Sequence, residues 1–230
     1  MGSAGPIVFV AMALGTSLVT CMVAIAEPAA PDGGRIASLG IAAQGVPACA
    51  SCHGAKGEGA PAQGAPRLAH LAQGYLERQL AAFAAGGRAS TVMEPIARQL
   101  TPGQRAVISG HYASLPAIWA AGTFGAMRLV RGKALAERGD WSVQSPPCAS
   151  CHGPRGTGVG SLTPPLVGQS QDYLLEQLML FRNGQRKSDT IGLMNGIAGR
   201  LSIDDLRAAA AYYGSLPAPN AGPPPPGAAR

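Results

Sequence analysis

The chain carries one hexapeptide twice, as Cys49-Ala50-Ser51-Cys52-His53-Gly54 and again as Cys148-Ala149-Ser150-Cys151-His152-Gly153. In a helical turn, residues three apart share a face and the next residue lies beside them. Each copy therefore points two thiols and one imidazole in the same direction. Because the two copies begin 99 residues apart, they also suggest an internal repeat.

The sequences that flank the two hexapeptides match as well, with an offset that drifts between 98 and 101 residues. The matching stretches are 75–80 with 173–178, 93–100 with 194–201, and 112–116 with 213–217. We therefore predict two homologous domains that are joined by a linker and followed by a proline-rich tail. The domains cover 27–117 and 131–218, the linker 118–130 and the tail 219–230.

Both repeats are predicted to be helical, because no stretch alternates between apolar and polar residues for long, as a strand would. The last helix of each repeat starts with the pattern of a capping box, at Thr101 and at Ser202. The other predicted helices cover 35–43, 73–85, 132–138 and 171–182. The predicted fold class is therefore all-α, with two tandem domains.

The composition provides few large aromatic side chains for a hydrophobic core. Aromatic residues make up 5% of the 230 residues, whereas 32 residues are glycine and 20 are proline. Aromatic side chains normally supply much of the buried area of a domain. Four short helices with long glycine-rich loops leave interior volume unfilled in each domain. The sequence therefore predicts that a bound cofactor fills that volume.

The net charge of +6 raises the question of nucleic-acid binding. The excess of basic residues is spread evenly along the chain. Two more basic than acidic residues occur in each of the segments 27–116, 117–147 and 148–230. No basic run occurs, and aromatic residues do not interleave with basic ones as stacking on bases requires. We therefore predict a mildly basic surface for an acidic protein partner, and no nucleic-acid binding.

The N-terminus has the features of a targeting segment. Residues 7–25 form an uncharged apolar run, and Ala24-Ile25-Ala26 is a small-x-small cleavage pattern. We predict a signal peptide at 1–26, although no Lys or Arg precedes the run. The run is also long enough to remain as a membrane anchor, and Cys21 offers a lipoprotein site as a third alternative. All three alternatives place the protein in the periplasm, either soluble or tethered to the inner membrane.

The pattern Cys-x-x-Cys-His is the attachment signature of c-type haem. Two thioether bonds, at Cys49 and Cys52 or at Cys148 and Cys151, would hold the porphyrin while the imidazole reaches its iron. A redox-active dithiol and half of a zinc site are the alternatives. A dithiol oxidoreductase needs a strand–helix context, which the pattern lacks, and a zinc site shared by two pairs leaves both histidines unexplained. Two covalent haems are therefore predicted.

These motifs resemble those of the diheme class I cytochromes c, most closely the cytochrome c4 family. The resemblance covers nearly all of both repeats, including their Tyr-Leu-x-x-Gln-Leu, Gly-x-Arg and Met-x-x-Ile-Ala stretches. It implies one haem per domain, with His53 and Met93 or His152 and Met194 as the iron ligands. It also implies a pseudo-two-fold between the domains and electron transport in the periplasm.

Four further residues that recur in both repeats are candidates for haem contacts. Arg88 and Arg186 could pair with haem propionates, or could be solvated charges at helix ends. Tyr75 and Tyr173 could contact the haem, or could only pack in the core. Unlike Met93 and Met194, Met179 has no counterpart in the other repeat, so we assign it to the core.

An iron with both axial positions filled has no open site for a substrate. We therefore predict an electron carrier without catalytic residues. It would take electrons from a quinol-oxidising complex or a dehydrogenase and pass them to a terminal oxidase. One alternative is the cytochrome subunit of a periplasmic dehydrogenase complex, which has the same chemistry and a fixed partner. A diheme peroxidase is a weaker alternative, because it requires one five-coordinate haem.

Overall fold

A computed structural model describes residues 32–116, 125–189 and 191–216 of the chain. The predicted signal peptide or anchor, the proline-rich tail and residues 118–124 of the predicted linker lie outside these residues. Among the residues that are described, no helix is long and apolar enough to cross a membrane.

The two repeats have the same order of helices. The first contains α1 (Gly33–Leu39), α2 (Ala50–His53), α3 (Gln73–Ala84), α4 (Met93–Gln99) and α5 (Pro102–Ser114). The second contains α6 (Ala126–Arg138), α7 (Ala149–His152), α8 (Gln171–Arg182), α9 (Leu193–Arg200) and α10 (Ile203–Ser215). Within the described ranges, strand pairing is limited to isolated bridges, so the predicted all-α fold is confirmed.

The last helix of each repeat begins with the predicted capping box. Thr101 accepts a hydrogen bond from the Gln104 backbone N–H at 3.2 Å, and the Gln104 side chain accepts one from the Thr101 N–H at 2.8 Å. Ser202 and Asp205 make the same exchange at the start of α10. These reciprocal bonds satisfy N–H groups that would otherwise lack a partner in the first helical turn.

Each repeat packs its first helix closely against its last. A Cβ at Gly33 would clash with the backbone carbonyl of Val107, and a Cβ at Gly132 would clash with that of Ala208. Glycine therefore lets α1 approach α5, and lets α6 approach α10, at backbone contact. Helix α3 packs on α4 and α5, while α8 packs on α9 and α10. This arrangement places the Cys-x-x-Cys-His turns and the methionine helices around the same small cores.

Two helix boundaries differ from the sequence prediction. Helix α1 ends at Leu39 rather than at residue 43, because Gly40 takes a positive φ of 71° and closes the helix. Helix α6 starts at Ala126, inside the predicted linker, and runs for 13 residues. Arg131 in its second turn bridges Asp140 and Asp205, with both N–O distances at 2.7 Å. These ion pairs tie the extended helix to its own repeat.

Candidate haem sites

Each Cys-x-x-Cys-His motif forms one short helical turn. Cys49 and Cys148 are the N-cap residues of α2 and α7, and the two histidines are the last residues of those helices. None of these four cysteines is joined in a disulfide. The turn therefore presents both thiols and the imidazole of a motif together, as the spacing predicted.

The two histidines are buried and oriented in the same way. Nδ1 of His53 lies 2.9 Å from the Pro66 carbonyl oxygen, and Nδ1 of His152 lies 2.9 Å from that of Pro164. An N–H at Nδ1 donates this bond, so Nε2 carries the free lone pair. Burial lowers the pKa of both histidines, against the opposing effect of the carbonyl bond. Burial is the larger effect and favours the neutral imidazole, while the carbonyl bond fixes the orientation of the ring; iron ligation needs both.

The repeated methionines lie in the first turns of short helices that pack on α3 and α8. The Met93 N–H donates to the Ser90 hydroxyl at 3.0 Å, whereas the Met194 N–H donates to the Asp189 carboxylate at 2.6 Å. Both side chains are partly buried. Met179 packs against the core of the second repeat, as predicted. The helices that carry Met93 and Met194 were not predicted from the sequence, since each has only seven or eight residues.

Arg88 reaches from the first repeat into the second. Its side chain is 5% exposed and lies 4.4 Å from the ring centroid of Phe83. It donates to the Tyr173 hydroxyl at 2.7 Å and to the Gln177 side-chain oxygen at 2.6 Å, both in the second repeat. A third bond, at 3.0 Å, goes to Gln79 in its own repeat.

Arg186 makes the equivalent contacts from the second repeat to the first. It donates to the Tyr75 hydroxyl at 3.1 Å and to Gln79 at 2.9 Å in the first repeat, and to Gln177 at 2.9 Å in its own. Burial acts to raise the pKa of Tyr75, but the charges of Arg186 and Arg88 outweigh it and lower that pKa. The crossed contacts give the interface between the repeats its pseudo-two-fold character.

The alternative that the two arginines are solvated helix-end charges is wrong. Both are buried, and in the described part of the chain neither contacts a carboxylate. The Nε of Arg88 also lacks a hydrogen-bond partner there. Two neighbouring buried cations without a counter-charge are costly. A group that brings its own carboxylates, as haem does, fits these residues.

Comparison with known proteins decides the family. The family model described as cytochrome c matches residues 42–107 and 129–217, one segment in each repeat. The chain belongs to the cytochrome c family. Its fold also matches the reduced cytochrome c4 of Pseudomonas stutzeri with a TM-score of 0.68 and 31% identity, over 76% of this chain and 97% of that one. The predicted relationship to the diheme cytochromes c4 is therefore confirmed.

Two further relatives of this cytochrome concern thiosulfate. The thiosulfate dehydrogenase electron acceptor of Stutzerimonas stutzeri (strain A1501) is 41% identical over 81% of the cytochrome and 87% of its own length. The structure of a thiosulfate dehydrogenase from Marichromatium purpuratum matches 80% of the cytochrome with a TM-score of 0.76 and 44% identity. The cytochrome spans only 40% of that longer chain.

Family and motifs together establish the cofactor. The cytochrome carries two covalently bound haem c groups, one for each Cys-x-x-Cys-His motif, and it is a diheme electron carrier of the cytochrome c4 type. The predicted cofactor is confirmed, and so is the general function of electron transport.

One part of the interface was missed from the sequence. Arg67 and Gln169 exchange hydrogen bonds between the repeats and are both buried. Neither position recurs, because the counterparts are Pro165 and Leu71. Searching for what the repeats share cannot find such a pair. The available signal was the mismatch itself, a charged residue in an otherwise matching loop.

Proposed function

We propose that this cytochrome accepts electrons from a periplasmic thiosulfate dehydrogenase and passes them on towards a terminal oxidase. The observation that carries the proposal is the 41% identity to a thiosulfate dehydrogenase electron acceptor over 87% of that protein. A second protein of that name, from Thiomonas intermedia, is 39% identical over 84% of its length. These two relatives support a dehydrogenase, rather than a quinol-oxidising complex, as the donor.

In this proposal each repeat supplies a complete set of haem ligands. Cys49 and Cys52 form the thioether bonds of the first haem, and Cys148 and Cys151 those of the second. His53 and His152 would bind iron through Nε2, since the prolyl carbonyls 2.9 Å from their Nδ1 atoms hold the rings in place. Met93 and Met194 would each supply a second protein ligand to the iron, which is supported by their repeated positions in the sequence.

The buried arginines receive a role from the same arrangement. Arg88 and Arg186 are proposed to neutralise haem propionates at the interface, with Tyr173 and Tyr75 as their hydrogen-bond partners. The charge of Arg186 also contributes to the lowered pKa of His152, although burial is the larger cause. The positive charge of Arg186 therefore helps to keep His152, in the predicted site of the second haem, in its neutral form.

Two haems match the electron count of the proposed donor reaction. A bound haem c supplies one-electron transfer, so the chain takes up two electrons. If the donor joins two thiosulfate ions through a sulfur–sulfur bond, that oxidation releases two electrons and no protons. One turnover of the donor would therefore fill one molecule of acceptor. The Cys-x-x-Cys-His turn of each repeat would hold one of these haems in place.

The experiment is an anaerobic reduction assay with the oxidised holoprotein. Thiosulfate and a catalytic amount of thiosulfate dehydrogenase are added, and reduction is followed from the visible haem bands. We expect rapid reduction by two electrons per chain, and none when either component is omitted. A quinol-oxidising complex with its quinol serves as the competing donor. Faster reduction by that complex, with slow reduction by the dehydrogenase, would contradict the proposed donor.

A further inference from the structure

Arg67 is a charged side chain sealed between the two repeats. It is 1% exposed, which makes it one of the most buried large side chains of the described residues. Its Nε donates to the Gly168 carbonyl at 3.2 Å, and Nη2 donates to the Val167 carbonyl at 3.1 Å. Nη1 donates to the carbonyl of Ala69. All of these acceptors are neutral backbone groups.

The main chain of Arg67 is fixed as firmly as its side chain. The Arg67 N–H donates to the side-chain oxygen of Gln169 at 3.1 Å, and Gln169 Nε2 donates back to the Arg67 carbonyl at 2.7 Å. Gln169 is itself only 3% exposed. With both ends of the residue held, the guanidinium cannot swing out to water.

The cation at Arg67 has no equivalent in the second repeat. Pro66 and Pro164 occupy matching places, since each accepts the bond from a histidine Nδ1. The next residue is Arg67 in the first repeat and Pro165 in the second. The pseudo-two-fold relates the contacts of Arg88 to those of Arg186. The charge of Arg67, in contrast, has no symmetry-related counterpart in the second repeat.

Arg67 stays charged at neutral pH in spite of its burial. Desolvation lowers the pKa of its guanidinium to about 10, which is still above physiological pH. In the described part of the chain, no carboxylate contacts it. A positive charge that is buried and not paired acts over a longer range than one in water.

The position of Arg67 places this charge beside both histidine loops. It follows Pro66, the hydrogen-bond partner of His53, and it binds Val167, three residues after the partner of His152. We propose that Arg67 is a redox-tuning residue that raises the reduction potentials of both haems. A nearby positive charge favours the ferrous state, which is less positive than the ferric state by one charge. The proposal rests on the histidine ligation proposed above.

The test compares two variants that remove the charge of Arg67 with one that removes only the hydrogen bonds between Gln169 and the Arg67 main chain. Arg67→Met and Arg67→Gln both delete the cation, and the second retains hydrogen-bonding capacity if the first folds poorly. Gln169→Leu introduces the residue that the first repeat has at the matching position, and leaves Arg67 charged. Both potentials are measured by spectroelectrochemistry on holoprotein, and the unfolding temperature is measured in parallel.

Both potentials should fall in Arg67→Met and Arg67→Gln. At the wild-type midpoint, the ratio of reduced to oxidised haem should drop about three- to tenfold, which is the effect of a unit charge about 12–25 Å away at an effective dielectric of about 20. Gln169→Leu should lower the unfolding temperature and leave both potentials near the wild-type values. Unchanged potentials in the two Arg67 variants, or an equal fall in Gln169→Leu, would overturn the proposal. The dehydrogenase takes no part in these measurements, so failure of the proposed donor would be seen separately.

Discussion

Replacing Met93 with alanine should lower the reduction potential of one haem strongly and leave the other nearly unchanged. A thioether is a soft, neutral ligand that favours ferrous iron, so its loss favours the ferric state. The opened position should then bind carbon monoxide, which the wild type should take up poorly. Met194→Ala should do the same to the other haem. Spectroelectrochemistry and carbon monoxide titration measure both effects.

Met179→Ala is the matched control for this experiment. Met179 packs against the core of the second repeat, and the same substitution there also deletes a partly buried methionine. It should reduce stability by a few kcal/mol at most, without shifting either potential or opening a site. Stoichiometric binding of carbon monoxide to one haem of the wild type would contradict methionine ligation. It would favour the diheme peroxidase alternative instead.

Arg88→Met should destabilise the holoprotein by about 2–4 kcal/mol. The substitution removes three charge-assisted hydrogen bonds in a buried setting and leaves the Tyr173 hydroxyl without its donor. If Arg88 neutralises a haem propionate, a buried carboxylate also loses its partner. Denaturant unfolding, followed through the haem bands, measures the loss.

Arg98→Met is the control, because Arg98 makes an exposed i,i+4 pair with Glu94 on the same repeat. Exposed pairs of this kind contribute little, so the change should stay within about 0.5 kcal/mol. Without propionates, Arg88 and Arg186 would be like charges side by side, and deleting one would relieve repulsion. Equal or greater stability of Arg88→Met would therefore argue against the propionate role.

The features that could be predicted from the sequence are those that recur or that act locally. The capping boxes at Thr101 and Ser202 depend on residues within four positions, and the structure has both. The Cys-x-x-Cys-His turns likewise follow from the spacing of neighbouring residues. The repeat then doubled each signal, which is why two haem domains could be assigned without any tertiary information.

The interface between the repeats could not be predicted in the same way. Arg88 meets Tyr173 across 85 residues, and Arg67 meets Gln169 across 102. Nothing in the local sequence of Arg88 distinguishes a buried arginine from an exposed one, since burial comes from the partner domain. Helix α6 also starts earlier than predicted, and its Arg131 pairs with Asp205, 74 residues away in the chain.

The most direct test of this account is the intact mass of the native protein under denaturing conditions. Thioether bonds survive denaturation, whereas haem held only by ligation is lost. We expect the mass of the polypeptide plus two haem groups, with the N-terminus of the polypeptide determined by sequencing in parallel. A mass with one haem, with zinc alone or with no addition would contradict the assignment of a haem to each Cys-x-x-Cys-His motif.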